Sequence, residues 1–306
     1  MASEAGSGEL EFEIVEGLPQ PKWRPLWGWS KEHVRSEELS GFYWRAARRW
    51  LDRLREALGT AYRLTETCRF LVLTGAKVKD ASGLSEFVER QFTRVQNAIV
   101  VANPQVVLGP RVVIIFDETD AYYSYLAALV ADGEHAASGG ICIRKDYLHI
   151  AINGYKWFTR STIIHEFVHL QMTDLRPPRW LEEGVACYLP EVLLQERSFQ
   201  FDRETASRHR AFWPTRSLDE FWDGSCFRRP DSQELSYSLA QVLVRNLMAD
   251  HPSEFRKFLL SASRDDAGAA AAMSCFNRSL GDIAGQFLGP GDWNPTPNQM
   301  SPGRPV

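Results

Sequence analysis

The chain has 306 residues, of which 44% are hydrophobic and 24% charged, and its formal net charge is −4. That is the composition of a soluble globular protein with enough chain for one large domain or two small ones, and its acidic balance gives no reason to expect a nucleic acid or an anionic membrane as partner. No apolar run approaches the length that crosses a bilayer, and five scattered cysteines without a C-x-x-C pair point to a reduced compartment, the cytoplasm.

Residues Met1–Glu13 lack the basic start and apolar core of a secretory signal. Residues 1–36 are expected to form an arm, disordered over Met1–Gly8 and extended over the Pro- and Trp-rich Leu10–Trp29. Glu37–Leu58 has the spacing of an amphipathic helix, with Tyr43, Ala46, Ala47, Trp50, Leu51, Leu54 and Leu58 on one side and Gly59 closing it. Its arginines lie largely on the other side, and in an acidic chain they read as a solvated face rather than a nucleic-acid surface. Arg69–Leu73 reads as a strand, Leu84–Val101 as a second amphipathic helix and Arg111–Phe116 as a β-branched strand. Asp120–Val130 reads as an aromatic helix and Ala131–Gly140 as a small-residue loop. Ile141–Arg144 and Tyr147–Ile152 read as short strands in which His149 is a strand residue and not a ligand.

Pro190–Glu234 reads as a long irregular segment, of the kind that covers a site, with His209 facing solvent. Helices are expected over Ser236–Met248 and Pro252–Ser261, and two more within Asp265–Phe287, broken near Asn277–Gly281. Gly289–Val306 carries enough proline to read as a disordered tail. Strands therefore precede residue 158 and helices follow it. This order predicts an α+β fold, with one domain over 37–288 made of a sheet-containing half, 37–157, and a helical half, 158–288.

The stretch that organises the chain is Ser161–Leu189, which opens with His165, Glu166 and His169 in the order H-E-x-x-H. Residues four apart share a helix face, so both imidazoles can reach one metal ion, and Glu166 stands one step round, close to the water that would complete the metal's shell. A third protein ligand is needed, and the sequence offers the adjacent Glu182 and Glu183 on a second helix that begins near Pro178.

H-E-x-x-H followed by Trp180-Leu181-Glu182-Glu183-Gly184-Val185-Ala186 resembles the gluzincin zinc metallopeptidases, specifically over Thr162–Tyr188. A fainter likeness, from about Arg69 to Leu288, is to peptidase domains related to the catalytic domain of aminopeptidase N. The resemblance implies a zincin-like fold whose small mixed sheet packs on the H-E-x-x-H helix, with an edge strand in the Gly139–Ile152 region that pairs with a substrate backbone. It makes the Glu before Gly, Glu183, the third ligand of one Zn²⁺ beside His165 and His169. It makes Glu166 the general base, and it assigns Tyr237, at the start of a later helix, to the oxyanion. The chain departs from the family in two ways. Cys187 stands where some gluzincins carry an acid that orients a ligand, which leaves Asp174 and Glu191 as candidates for that role. The G-x-M-E-N signature that binds a free amine in the aminopeptidases is missing, which favours an endopeptidase. The expected partner is a peptide or protein substrate. The rival reading is a zincin-fold binding or regulatory protein without catalysis; a Ser or Cys hydrolase is a distant third, since no G-x-S-x-G is present.

Overall fold

The computed structural model describes residues 8–99, 108–127, 129, 139–154, 156, 159–196, 202–213 and 218–296. The expected disorder of residues 1–7 and 297–306 and the expected loop over 131–138 lie outside these residues, as do Phe199 and Phe201 of the long segment. The protein has an α+β fold with a small mixed sheet and a helical C-terminal half. It divides into two compact units, residues 1–94 with 103–166 and residues 95–102 with 167–306. No described helix is long and apolar enough to cross a membrane.

The first unit opens on a hairpin where an extended arm was expected. Strands β1 (Phe12–Val15) and β2 (Leu18–Pro21) pair antiparallel across Glu16 and Gly17, whose φ angles of 50° and 76° are the left-handed pair that a two-residue hairpin turn demands. Helix α1 (Trp23–His33) follows; its Pro25 sits in the first turn, where no intrahelical N–H bond is lost. Helix α2 (Leu39–Leu58) buries Tyr43, Ala46, Ala47, Trp50, Leu51 and Leu54, the stripe that its spacing predicts.

The sheet is built from β3 (Arg63–Glu66), β4 (Phe70–Thr74), β5 (Arg111–Ile115), β6 (Gly140–Ile143) and β7 (His149–Ile152), in the order β3-β4-β5-β7-β6. The central β4, β5 and β7 run parallel, and β3 and β6 are antiparallel edges. Alternation along the strands sends Leu71, Leu73, Val112, Ile114 and Ala151 into one core with Trp23, Leu26, Trp50 and Leu54, and with Tyr122 and Tyr125 of α4 (Thr119–Ala127). The side chains between them face the other way. There Phe70 meets Phe92 of α3 (Ala81–Ile99) edge-on at 5.1 Å. The central strands are apolar on both faces, as strands covered on both sides must be. The edge strand β3 is polar, which hides it from a search for apolar runs. His149 is a buried strand residue, its Nδ1 2.6 Å from the Tyr147 carbonyl and its Nε2 2.7 Å from the Tyr125 hydroxyl.

Helix α5 (Thr159–Gln171) carries the H-E-x-x-H residues. Within the first unit the edge strand β6 lies close on its first turns. A Cβ on Gly140 would stand 2.8 Å from Thr162 Cγ2 and 2.8 Å from Ile152 Cδ1, so only glycine lets strand and helix approach this far.

In the second unit, α6 (Arg179–Leu194) packs along α9 (Gln233–Asp250). The contact is backbone on backbone, for a Cβ on Gly184 would stand 2.5 Å from the Ala240 carbonyl oxygen and 2.6 Å from Val244 Cγ2. Trp180 is fully buried. It meets Phe221 and Trp222 of α8 (Asp219–Trp222) and Phe258 of α10 (Pro252–Ser261), and its indole N–H donates to the Ala267 carbonyl at 2.9 Å. Helices α11 (Ala269–Phe276) and α12 (Leu280–Leu288) complete the unit, separated at Asn277 as the sequence predicts.

The long irregular segment expected over Pro190–Glu234 is a correction. Helix α6 continues through Pro190 to Leu194, because the tight burial of Leu189, Pro190 and Glu191, with Arg245 donating to Glu191 at 2.7 Å, outweighs the bond that proline removes. Helix α7 (Arg203–Phe212) follows, its N-cap Asp202 accepting from Thr205 N–H at 2.8 Å, and then α8. His209, expected to face solvent, is fully buried. Residues 289–296, expected as the start of a disordered tail, pack on the unit. Trp293 is buried, and Trp222 donates to its carbonyl at 2.7 Å.

Candidate metal centre

Helical spacing stacks His165 and His169 on one face of α5, with Glu166 buried beside them. Arg176, in a left-handed conformation with φ 46°, and the two prolines Pro177 and Pro178 turn the chain into α6. That turn sets Glu182 and Glu183, both buried, against the imidazole of His169. Of the sequence-predicted ligands, His165, His169 and Glu183 come together, each offering one donor atom, all within 4.8 Å of one another.

The donor set fits a zinc ion. Metal bonds of about 2.0–2.1 Å in a tetrahedron set neighbouring ligand atoms roughly 3.3–3.4 Å apart. His169 Nε2 and Glu183 Oε2 are 3.4 Å apart. Two imidazoles and one carboxylate are ligands that zinc takes readily, and three protein ligands are the number that leaves a position open for chemistry.

The outer contacts separate the roles of the two adjacent carboxylates. Glu182 Oε1 lies 2.9 Å from His169 Nδ1, so this ring nitrogen is engaged and Nε2 is the one turned to the cluster. The second oxygen of Glu182 accepts from Arg264 Nη2 at 3.3 Å, and Arg264 Nε donates to the Pro177 carbonyl at 2.8 Å. Arg179, one helical turn before Glu183, reaches its Oε1 at 3.5 Å. The acids that the sequence offered for the orienting role are elsewhere: Glu191 pairs with Arg245, and Asp174 is exposed.

The electrostatics favour a cation. Burial alone would lower the pKa of His169, but the charge of Glu183 and the hydrogen bonds that the ring gives to Glu182 and Glu183 outweigh it and raise the pKa to about 10. Without a metal, the cluster holds a proton firmly.

Tyr237 sits in the first turns of α9, its ring edge-on to Phe227 at 5.3 Å. Arg179 donates to its hydroxyl oxygen, and Glu183 is close enough to act on it electrostatically. Burial first, and then the Glu183 charge, push its pKa well above the usual tyrosine value, so the phenol keeps its proton. Since guanidinium can only donate, the Tyr237 oxygen accepts and its own O–H remains to donate. Sequence reasoning missed two residues here. Arg179 was within reach of it, because it stands four before Glu183 on a helix. Arg264 lies 82 positions from Glu182 and carries no local signal.

No protein-family model matches the chain, and a search of the curated proteins finds no match.

Proposed function

We propose that the protein is a zinc-dependent peptidase, acting within peptide chains rather than at their amino ends. The observation that carries the reading is the three-donor cluster of His165, His169 and Glu183, with Glu166 one residue from the first ligand. A zinc ion held by these three residues would polarise a peptide carbonyl and acidify a water. Glu166 takes the proton of the attacking water on its carboxylate and returns it to the leaving amine. Tyr237 donates its O–H to the oxygen on which negative charge develops, and Arg179 holds that phenol in place. Glu182 fixes the ring of His169 through Nδ1 and is fixed in turn by Arg264. Strand β6 lies at the edge of the sheet, the position at which an extended substrate can add as a further strand.

The scattered cysteines without a C-x-x-C pair support a reducing compartment, the cytoplasm, and the acidic chain supports a peptide rather than a nucleic-acid or membrane partner. The test is elemental analysis of the purified protein beside His165→Ala, followed by a Glu166→Gln variant assayed on a peptide mixture. About one zinc per chain is expected, lost in His165→Ala, with zinc kept and cleavage lost in Glu166→Gln. A folded wild type that takes up no zinc refutes the reading. Zinc uptake without cleavage of any peptide leaves a binding or regulatory protein.

A further inference from the structure

A second polar site lies in the helical unit, beside Tyr237. A pocket of about 250 Å³ opens between α7 and α9, lined by Thr205, Arg208, Glu234, Tyr237, Ser238 and Gln241 among others. Its volume is below the roughly 300–1,000 Å³ of sites that enclose a cofactor or drug-sized ligand, and suits a single side chain.

The hydrogen-bond polarity of its walls is fixed from behind. Trp213 Nε1 donates to His209 Nδ1 at 2.9 Å, and an indole N–H can only donate. The proton of the His209 ring is therefore on Nε2, which donates to Ser238 Oγ at 2.9 Å. Burial and the neighbouring Arg208 charge lower the pKa of His209 to about 4, so the neutral ring persists around neutral pH. With His209 donating to its oxygen, Ser238 presents its own O–H as a donor, and among the described residues no acceptor takes that proton. One turn on, Gln241 Nε2 donates to the Cys187 carbonyl at 3.4 Å, which turns Gln241 Oε1 the other way as an acceptor. Ser238 and Gln241 are three apart on α9 and so stand side by side on one face.

A donor and an acceptor side by side are what a primary carboxamide matches, its C=O to one and its NH₂ to the other. The charged groups of the pocket are already satisfied, because Arg208 holds Glu234 in a two-point pair at 2.9 and 3.0 Å. A charged ligand would have to break that pair or face the Gln241 oxygen.

We propose that this pocket is a subsite for a side-chain carboxamide, glutamine or asparagine, of the peptide substrate. The assignment to a substrate rests on the peptidase reading, and links to it through Tyr237, which forms the pocket wall and is held by Arg179 beside Glu183.

The test uses the full-length, zinc-loaded chain and a peptide library read by mass spectrometry. Glutamine or asparagine is expected to be enriched at one fixed position relative to the cut. In matched peptides, glutamine at that position should exceed methionine, which has nearly the same shape, by about tenfold to a hundredfold in kcat/KM. Ser238→Ala and Gln241→Met should each shrink that ratio by about tenfold. Cleavage with no preference between glutamine and methionine overturns the subsite and leaves the peptidase. If no peptide is cut, a capped glutamine tripeptide and its methionine counterpart are titrated against the Glu166→Gln protein by calorimetry. Tighter binding of the glutamine peptide keeps the pocket as a carboxamide site while the peptidase reading falls; equal binding, or none, overturns the pocket as well.

Discussion

Gly184→Ala sets two physical effects against each other with opposite signs. Helix propensity alone favours alanine in a helix interior by about 1 kcal/mol. The packing of α6 on α9 forbids it: the new Cβ would stand 2.5 Å from the Ala240 carbonyl oxygen and 2.6 Å from Val244 Cγ2. A carbonyl on a helix backbone cannot rotate away, so the helices must part by about 0.8–0.9 Å to restore an ordinary contact of roughly 3.4 Å. Over-packing of this kind costs about 1–3 kcal/mol, at the upper end where backbone meets backbone. After the propensity gain, a net loss of about 1–2 kcal/mol is expected, or roughly 1.5–3 °C in melting temperature for a chain of this size. Scanning calorimetry of the wild type and variant in the same buffer measures it. Val244→Ala added to Gly184→Ala removes the side-chain contact and leaves those with the Ala240 backbone, so the double variant should stay below the wild type. A Gly184→Ala protein as stable as the wild type, or more so, refutes the close packing of α6 on α9.

Glu182→Gln keeps a hydrogen-bonding group beside His169 but removes the charge. It is expected to weaken zinc binding about 10- to 100-fold, measured by competition with a chromogenic chelator, whereas Glu183→Gln should weaken it far more by removing a ligand. His149 and His209 are buried and neutral, with pKa values lowered from 6.5 to about 4, mainly by burial. Their depressed folded values mean that the unfolded chain binds protons first, so stability is whole above pH 6.5 and falls as pH drops toward 4. Each contributes a slope of about 1.4 kcal/mol per pH unit in that window. Urea melts at pH 7 and pH 5 should show this loss, and His149→Phe should reduce it; the same pH dependence in that variant would refute the assignment. Arg245→Ala removes the guanidinium that donates to the buried Glu191 carboxylate at 2.7 Å and should cost about 1.5–3 kcal/mol in chemical denaturation. Loss of less than 1 kcal/mol would show that Glu191 finds water or another donor.

What the sequence made legible was what periodicity and spacing record. The stripes of α2 and α3, the β-branched central strands and the H-E-x-x-H face follow from side chains repeating at 3.6 or 2 residues. What it hid was held by long-range contact. The polar edge strand β3 needs β4 beside it before it is a strand at all. The segment from Pro190 onward reads as irregular because proline and charge break its pattern, yet Glu191 has Arg245 waiting 54 positions away. His209 reads as exposed among arginines, while its burial is set by Trp213, just past the end of its own helix, and by Ser238 on α9. The Glu-Gly turn of the β1–β2 hairpin was a local signal, lost among the prolines around it.

The choice between Glu182 and Glu183 has a physical reason for being undecidable from residues alone. Consecutive helix positions point about 100° apart, so two adjacent carboxylates can clasp one imidazole from both sides. This is what happens at His169, with Glu182 2.9 Å from Nδ1 and Glu183 3.4 Å from Nε2. Which carboxylate would be ligand and which support follows from the ring nitrogen of His169 that each one meets, and the motif alone does not set that. The guanidinium partners make the same division: Arg264, from a distant turn, neutralises the supporting Glu182, while Arg179, beside Tyr237, restrains Glu183 from its own helix. Exchanging the two roles would therefore require moving an arginine as well as a carboxylate. A Glu182→Ala variant should accordingly still bind zinc, though more weakly, and Glu183→Ala should not be rescued by the acid next to it.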